Sequence, residues 1–324
     1  MSIKIKICST LFLFGTILFY SCKKEELPVP KHDPGNVITS TVNMNIDYRY
    51  QIFYDLETNT AVSQNLKTTW DLGFETSESG YRVILNSAKA MYVYNTNSTD
   101  FNSVTDTSGL SAGKKMESPA GNMDSTAIGD WQTASNVYII DRGYNETGVH
   151  QGFRKIIFQS VDGQKYSVHF AQLSGIGDTT LEIYKNSTYN FTFLSFSTNA
   201  TVIIEPPKAD WDIVFTQYLE AIPSPYLVVG ALLNRYNTSA KMDSMTAFHN
   251  ITYELAELQV LSSNINSIGY GWKEYNFSNS SYIVFPQMCY IIKDSKGIYY
   301  KLHFIDFYNI SGNKGNPKWE YQKL

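Results

Sequence analysis

The chain writes Trp-Asp-aliphatic-x-Phe twice. Residues 68–76 read TTWDLGFET and residues 209–217 read ADWDIVFTQ, so Trp70-Asp71 and Trp211-Asp212 stand 141 positions apart. Other markers keep the same order. FYDLETNTAV from Phe53 matches FLSFSTNATV from Phe193 at a shift of 140, and Leu85-Asn86 matches Leu233-Asn234 at 148. Trp131 matches Trp272 at 141, DGQKYSVHF (162–170) matches KGIYYKLHF (296–304) at 134, and Glu182 matches Glu320 at 138. An ordered set of markers whose offset wanders by only a few residues is the signature of an internal duplication. The chain therefore reads as two copies of one unit, at 42–186 and 187–324. The join, LEIYKNSTYNFTF, leaves only a few polar residues between strands, so the copies are expected to pack together rather than swing on a linker.

Each copy alternates apolar and polar residues at period two, which is the pattern of half-buried strands. YRYQIFYDL (48–56), NVYIID (136–141), KYSVHFAQL (165–173), YNFTFLSF (189–196) and YYKLHFIDF (299–307) are examples. Turn residues separate the runs: Glu57-Thr58-Asn59, Asp162-Gly163, Lys296-Gly297 and Ser311-Gly312-Asn313. With 24 Tyr, 18 Phe and 5 Trp against 17% charged residues, the chain can bury a large, strand-rich core. The expectation is an all-β fold of two tandem repeats of antiparallel strands. One stretch differs. In AKMDSMTAFHNITYELAELQVL (240–261) apolar residues recur at three- and four-residue spacing, which predicts one short helix near 240–260. Within the Trp-Asp motif, strand alternation places Trp70, Leu72 and Phe74 on one core face, with Asp71 turned away to meet a turn or a strand-end amide.

The N-terminus follows a different grammar. Lys4 and Lys6 precede an apolar run from Ile7 to Tyr20, then Ser21-Cys22. A basic start, a short apolar core and a small residue describe a secretory signal at 1–21. The run is short for a membrane span. The cysteine after the small residue points to a lipoprotein, with Cys22 lipidated and the chain held to a membrane by that anchor. An ordinary signal peptide or an uncleaved anchor are the other readings. Lys23-Lys24-Glu25-Glu26 and the proline-rich LPVPKHDPG then read as part of a tether, 22–41. With Cys8 in the signal and Cys22 lipidated, Cys289 is left alone in an apolar strand-like run, as a small core thiol.

Net charge is −4 and there is no long basic stretch, which excludes a nucleic-acid-binding reading. No phosphate loop, nucleophile elbow or dinucleotide fingerprint occurs, and no His/Cys/Asp set has zinc spacing. The chain is not expected to be an enzyme. His169 and His303 fall at equal places in the repeat alignment and read as half-exposed strand histidines. His150 falls in a glycine-rich loop and His32 in the tether.

The run FxFSTNxTV, WDIVF, VVGALLNR, GW and CYIIKDSKGIYYKLHFIDFYNISGNKGNPKWEYQKL resembles the HmuY-like lipoproteins of Bacteroidota. The second copy matches over nearly its whole length. The first is the looser match, because KYSVHFAQLSG shortens the terminal run. The resemblance implies an HmuY-like β-rich fold and haem as the bound cofactor. It also implies a place on the outer membrane, with delivery to a TonB-dependent transporter. Iron in haem-binding members is held by His or Met from two segments around the second Trp. Carried onto this chain, the first segment offers Met242, Met245 and His249, and in the first copy Met116 and Met123. The second segment offers Asn276 or Phe277, and Asn136 in the first copy. The next thioether after Trp272 is Met288. Imidazole and thioether suit haem iron, whereas Asn and Phe do not. Five-coordinate iron or a loop methionine would complete the set. No metal beyond haem iron is implied. The alternative reading is a β-rich surface lipoprotein without haem, using Tyr/Asn loops such as YNTNSTDFNS (94–103) and YNFSNSSY (275–282) to hold glycan or protein.

Overall fold

The computed structural model describes residues 34–110 and 113–324. Cys22, His32, the signal segment and most of the tether lie outside these. The chain enters with β1 (Ile38–Thr41) and a hairpin of β2 (Tyr50–Asp55) and β3 (Thr60–Leu66). The first Trp-Asp strand is β4 (Leu72–Glu75), followed by β5 (Val83–Leu85), β6 (Tyr92–Asn95), β7 (Tyr138–Asp141), β8 (Phe153–Val161), β9 (Lys165–Ala171) and β10 (Thr179–Tyr184). The second copy opens with a hairpin of β11 (Phe191–Ser195) and β12 (Ala200–Val202). Then come the second Trp-Asp strand β13 (Ile213–Glu220), β14 (Tyr226–Leu233) and β15 (Ser239–Asp243). A helix, α1 (Tyr253–Glu257), and a hairpin of β16 (Lys273–Asn276) and β17 (Ser281–Val284) precede β18 (Cys289–Lys293), β19 (Tyr299–Tyr308) and β20 (Lys314–Lys323). The fold is all-β, as the alternation predicts. The one α-helix among the described residues is five residues long, because the first part of the expected helical stretch is drawn into a sheet as β15. Thr252 caps the helix by accepting from Leu255 N.

Eighteen of the strands form two hairpin-rich halves whose sheets stack in four layers. An outer sheet, β10-β9-β8-β7-β6, covers an inner sheet, β12-β11-β4-β5. A second inner sheet, β14-β13-β2-β3, is covered by the outer sheet β1-β20-β19-β18-β15. Three cores fill the gaps. Leu72, Phe74, Leu194 and Phe196 meet Ile140, Phe158 and Phe170 in the first. Ile52, Tyr54, Ile213 and Phe215 meet Tyr290, Phe304 and Trp319 in the third. Between the inner sheets, Phe53, Trp70, Ile84, Phe191, Phe193, Ile204, Trp211 and Val214 form the middle core. The central strands β2, β4, β11 and β13 are therefore buried on both faces, whereas their hairpin partners β3 and β12 are largely exposed.

The hairpins are exchanged between the copies. β4 pairs with β11 of the second copy (Leu72 opposite Leu194), and β13 pairs with β2 of the first (Ile213 opposite Tyr54). Each hairpin turns on an asparagine in the left-handed region, Asn59 at φ 55° and Asn199 at φ 51°, a conformation asparagine tolerates. One half of the fold is thus the contiguous stretch β4–β12, and the other joins β1–β3 to β13–β20. β1, at the end of the segment read as tether, completes the second outer sheet by pairing with β20 (Ile38 opposite Tyr321). It takes the edge place that β10 takes in the first. Sheet order therefore matches β8 with β19 and β9 with β20. Lys155 and Lys301 confirm this: Lys155 Nζ donates to Phe101 O and Val104 O, and Lys301 Nζ donates to Ile251 O. The match of 162–170 to 296–304 is consequently off by one strand. His303 stands where the first copy has Ile157, and His169 lies opposite Ile157, so the two histidines are not equivalent. Glu182 on β10 and Glu320 on β20 likewise occupy different places.

The Trp-Asp motif is the clamp of this exchange. Asp71 Oδ2 accepts from Phe196 N at 2.7 Å and Asp212 Oδ2 accepts from Leu56 N at 2.8 Å, in each case the amide at the end of the other copy's strand. Asn86 Nδ2 ties Lys67 O to Trp70 O, and Asn234 Nδ2 ties Lys208 O to Trp211 O. The expected single-faced row does not form. Trp70 enters the middle core while Leu72 and Phe74 enter the first, because β4 begins only at Leu72 and strand alternation does not reach back to Trp70. Both aspartates are buried and meet strand-end amides, as the motif predicts. Their charge environments differ. Asp71 also receives Lys89 Nζ at 2.5 Å and Arg142 Nε and Nη2 at 3.1 Å each. Asp212 has no such cations; burial, with Asp294 and Asp55 nearby, pushes its carboxyl up to about 7.

Two outcomes follow from this architecture. A fragment of residues 68–208 keeps a complete half of the fold and should show cooperative unfolding, self-associating through its bared middle-core face. Residues 42–186 lack β11–β12 and should not fold cooperatively; circular dichroism melting of both fragments checks this. For the clamp, Asp71→Ala strands two buried cations and should cost ~3–5 kcal/mol in chemical denaturation. Asp212→Asn keeps an acceptor for Leu56 N. The raised carboxyl gives Asp212 a stabilising proton that is fully held below its unfolded value of 3.8 and lost as pH rises through about 7. The Asn variant should therefore gain melting temperature relative to the parent at pH 8 and not at pH 4.

Candidate functional site

The residues carried over as ligands gather at one end of the second outer sheet. β15 pairs with β18 so that Met242 lies opposite Tyr290 and Asp243 opposite Cys289. Met288 precedes β18 and packs against the same core as Tyr290. Strand alternation, extended one residue ahead of β18, thus puts Met242 and Met288 at diagonal positions on one face, where neighbours usually stand about 7–8 Å apart. Met242 is 45% exposed and Met245 is 93% exposed. Met245 sits in the turn that leaves β15, where Asp243 Oδ1 accepts from Met245 N and Thr246 N. A single 3-10 turn, Phe248–Asn250, then places His249 on the surface.

The other described histidines are engaged. His303 Nε2 lies 3.1 Å from Glu320, its Nδ1 donates to Pro286 O, and its ring stacks on Phe248 at 4.2 Å. His169 meets Asp178 at 2.6 Å and stacks on Phe101 at 4.0 Å, and His150 meets Asp141 at 2.8 Å. Both His169 and His303 are half-exposed, as read. His249 makes no hydrogen bond among the described residues, so its imidazole is available. Cys289 is fully buried, with burial pushing its thiol up to about 11, consistent with a core thiol. No cluster of His, Cys, Asp and Glu able to hold a metal occurs among the described residues.

The places following the second tryptophan offer no iron donor. Asn276 closes β16 and Phe277, at the hairpin tip, is 86% exposed against Tyr275. Asn136 N donates to Ala134 O in a turn. In the first copy, Met123 packs against the middle core and Met116 is half-buried. Met242 and Met288 share the face of Tyr290, whereas the segment carrying His249 packs through Phe248 on the opposite face with Cys289 and Ile291. These residues thus share an end of the sheet but not a face, and Met116 and Met123 lie elsewhere. Trp272 and Trp131 are core residues, stacked on Phe304 at 3.9 Å and tilted against Phe158 at 5.3 Å.

The HmuY protein family model matches residues 47–186 and again 187–321. The chain belongs to the HmuY family. Its two family units are the two sequence copies, and the exchanged hairpins cross the boundary between them. No curated protein matches the chain. Among solved structures, apo PinO from Porphyromonas gingivitis is similar at 10% identity and a TM-score of 0.35, covering 89% of this chain and 97% of that one. The apo HmuY analogue of Tannerella forsythia is similar at 11% identity and a TM-score of 0.26, covering 90% and 99%. An HmuY-like haem-binding protein from Bacteroides vulgatus is similar at 12% identity and a TM-score of 0.24, covering 88% and 90%.

Proposed function

We propose that this HmuY-family chain is a surface lipoprotein that binds haem without catalysis and hands it to a TonB-dependent outer-membrane transporter. The observation that supports the reading is that Met242, Met245, His249 and Met288 all fall near one end of β15–β18, at the sheet's edge strand. Thioether and imidazole donors suit haem iron, and the exposure of Met242, Met245 and His249 leaves them free to engage a ligand. Burial elsewhere gives Met123 and Trp272 structural work instead. A single donor would hold five-coordinate iron; Met288 with Met242 would supply two. Anchoring through Cys22 would keep the site at the membrane surface.

A second reading has its own observation. The tip of the β16–β17 hairpin presents Phe277 to solvent beside Tyr275, where haem-binding members would place a donor. An aromatic tip of this kind suits contact with glycan or protein. The two readings separate in a haemin titration of residues 30–324 followed by absorbance in both redox states. Haem binding predicts a saturable Soret shift with one haem per chain. Replacing Met242, Met245 and His249 together by alanine should weaken it at least about tenfold, which is about 1.4 kcal/mol. An unchanged spectrum in that variant would move the site elsewhere. A flat titration with parent protein would leave the aromatic-tip reading in front.

A further inference from the structure

The inner sheets do not close completely on each other. A cavity of about 130 Å³ lies between them. Its walls are mainly apolar and come from both copies, with aromatic rings from Phe53 and Trp70 of the first, their counterparts Phe193 and Trp211 of the second, and Phe191. An apolar cavity of ~150 Å³ accepts a benzene ring, so the space suits a body of one ring or a short branched chain and is far too small for a porphyrin.

One end of this apolar space is charged. Arg235 lines it, standing where the first copy has Ser87 after the shared asparagine. Among the described residues its guanidinium makes one hydrogen bond, from Nη1 to Gly121 O, and its charged carbon lies 5.5 Å from the centre of the Phe191 ring. Gly121 roofs the group, since a side chain there would come within 2.8 Å of both terminal nitrogens. Two carboxylates also line the cavity, yet neither forms an ion pair with Arg235. Glu117 is taken by the amides of Leu85, at 2.9 Å, and Ala127, at 3.3 Å. Glu205 is taken by Phe191 N at 2.8 Å and Asn190 Nδ2 at 3.1 Å. Burial pushes both of these carboxyls up to about 7, so neither is a full counter-charge at neutral pH. A guanidinium has five donors in a planar fork that matches a carboxylate. Here most of that fork is uncommitted beside an aromatic cavity.

We propose that the cavity between the inner sheets binds a small apolar monocarboxylate, its carboxylate on Arg235 and its ring or branched chain among Phe53, Trp70, Phe191, Phe193 and Trp211. The site is separate from the haem reading and stands or falls without it. Its position on the seam between exchanged halves means that an occupant touches both copies at once.

The test is calorimetry on the detergent-solubilised full chain with benzoate, and with benzamide as the neutral shape-match. One benzoate per chain is expected, with benzamide at least about tenfold weaker. Arg235→Gln should lose the preference for benzoate. Val214→Phe, which fills the cavity wall, should abolish binding while thermal melting stays cooperative. Met242→Ala should leave benzoate binding unchanged. Absence of benzoate heat at up to about 10 mM, a Kd that corresponds to only about 2.7 kcal/mol, would overturn the proposal. So would equal affinity for benzamide, or undiminished binding in a folded Val214→Phe variant. If Arg235→Gln does not fold, the benzoate–benzamide ratio on the parent chain decides alone.

Discussion

The reciprocal bond between a buried aspartate and the other copy's strand-end amide is the interaction on which the rest of the structure depends. Asp71 on Phe196 N and Asp212 on Leu56 N each sit at the start of an inner-sheet strand. Neither inner sheet exists within one copy: β4 needs β11 and β13 needs β2. Backbone groups buried on both faces of a sheet must be paired. The aspartates satisfy the two amides that the sheet ladders leave over at the crossing points, and the strand direction and register follow. The asymmetry is informative. The first clamp is a charge network with Lys89 and Arg142, whereas the second is a buried carboxyl with no ion pair among the described residues and with Asp294 and Asp55 nearby.

Duplication gives the inner layers near-symmetry and leaves the margins free to diverge. Trp70 and Trp211, or Phe53 and Phe193, keep equivalent places because both are enclosed by the same packing. Loops at the sheet ends carry no such constraint. At the end of β15 and in the turn after it the second copy presents two exposed methionines and an exposed histidine, while the first copy's corresponding loop packs Phe101 and Val104 into a satellite core. The same freedom put Arg235 where Ser87 stands, turning one end of a shared apolar seam into a charged pocket. The family's binding chemistry is thus argued for one copy and one end of one sheet.

Much of this was legible in the residues. Period-two alternation gave the strands, and the Glu57-Thr58-Asn59 turn marked the first hairpin. The Trp-Asp, Leu-Asn and Trp131/Trp272 markers located the duplication. Reading failed where two alternatives share one pattern. The helix predicted near 240–260 shrank to Tyr253–Glu257 because Ala240 and Met242 found a strand partner in β18. The histidine pair was misaligned because β9 and β19 both read Lys-x-x-x-His-Phe or a near variant, and periodicity does not distinguish neighbouring strands of one sheet. Arg235 carried no signal at all, since an arginine after a strand normally faces water.

By itself the sequence determined what is local: strand content, turn positions, the existence of two copies, an apolar N-terminal segment ending at Cys22, and the residue types available to a ligand. Pairing was decided only in three dimensions. Two equivalent hairpins and two equivalent Trp-Asp strands have identical local preferences, so nothing in their periodicity says which should join. The choice rests on chain connection and on giving the central strands partners on both sides. β1, β10 and the exchanged hairpins each go where an open strand edge would otherwise remain. The cavity, the uncommitted guanidinium and the company of Met242 with Met288 are consequences of that choice, because each depends on residues brought together from distant parts of the chain.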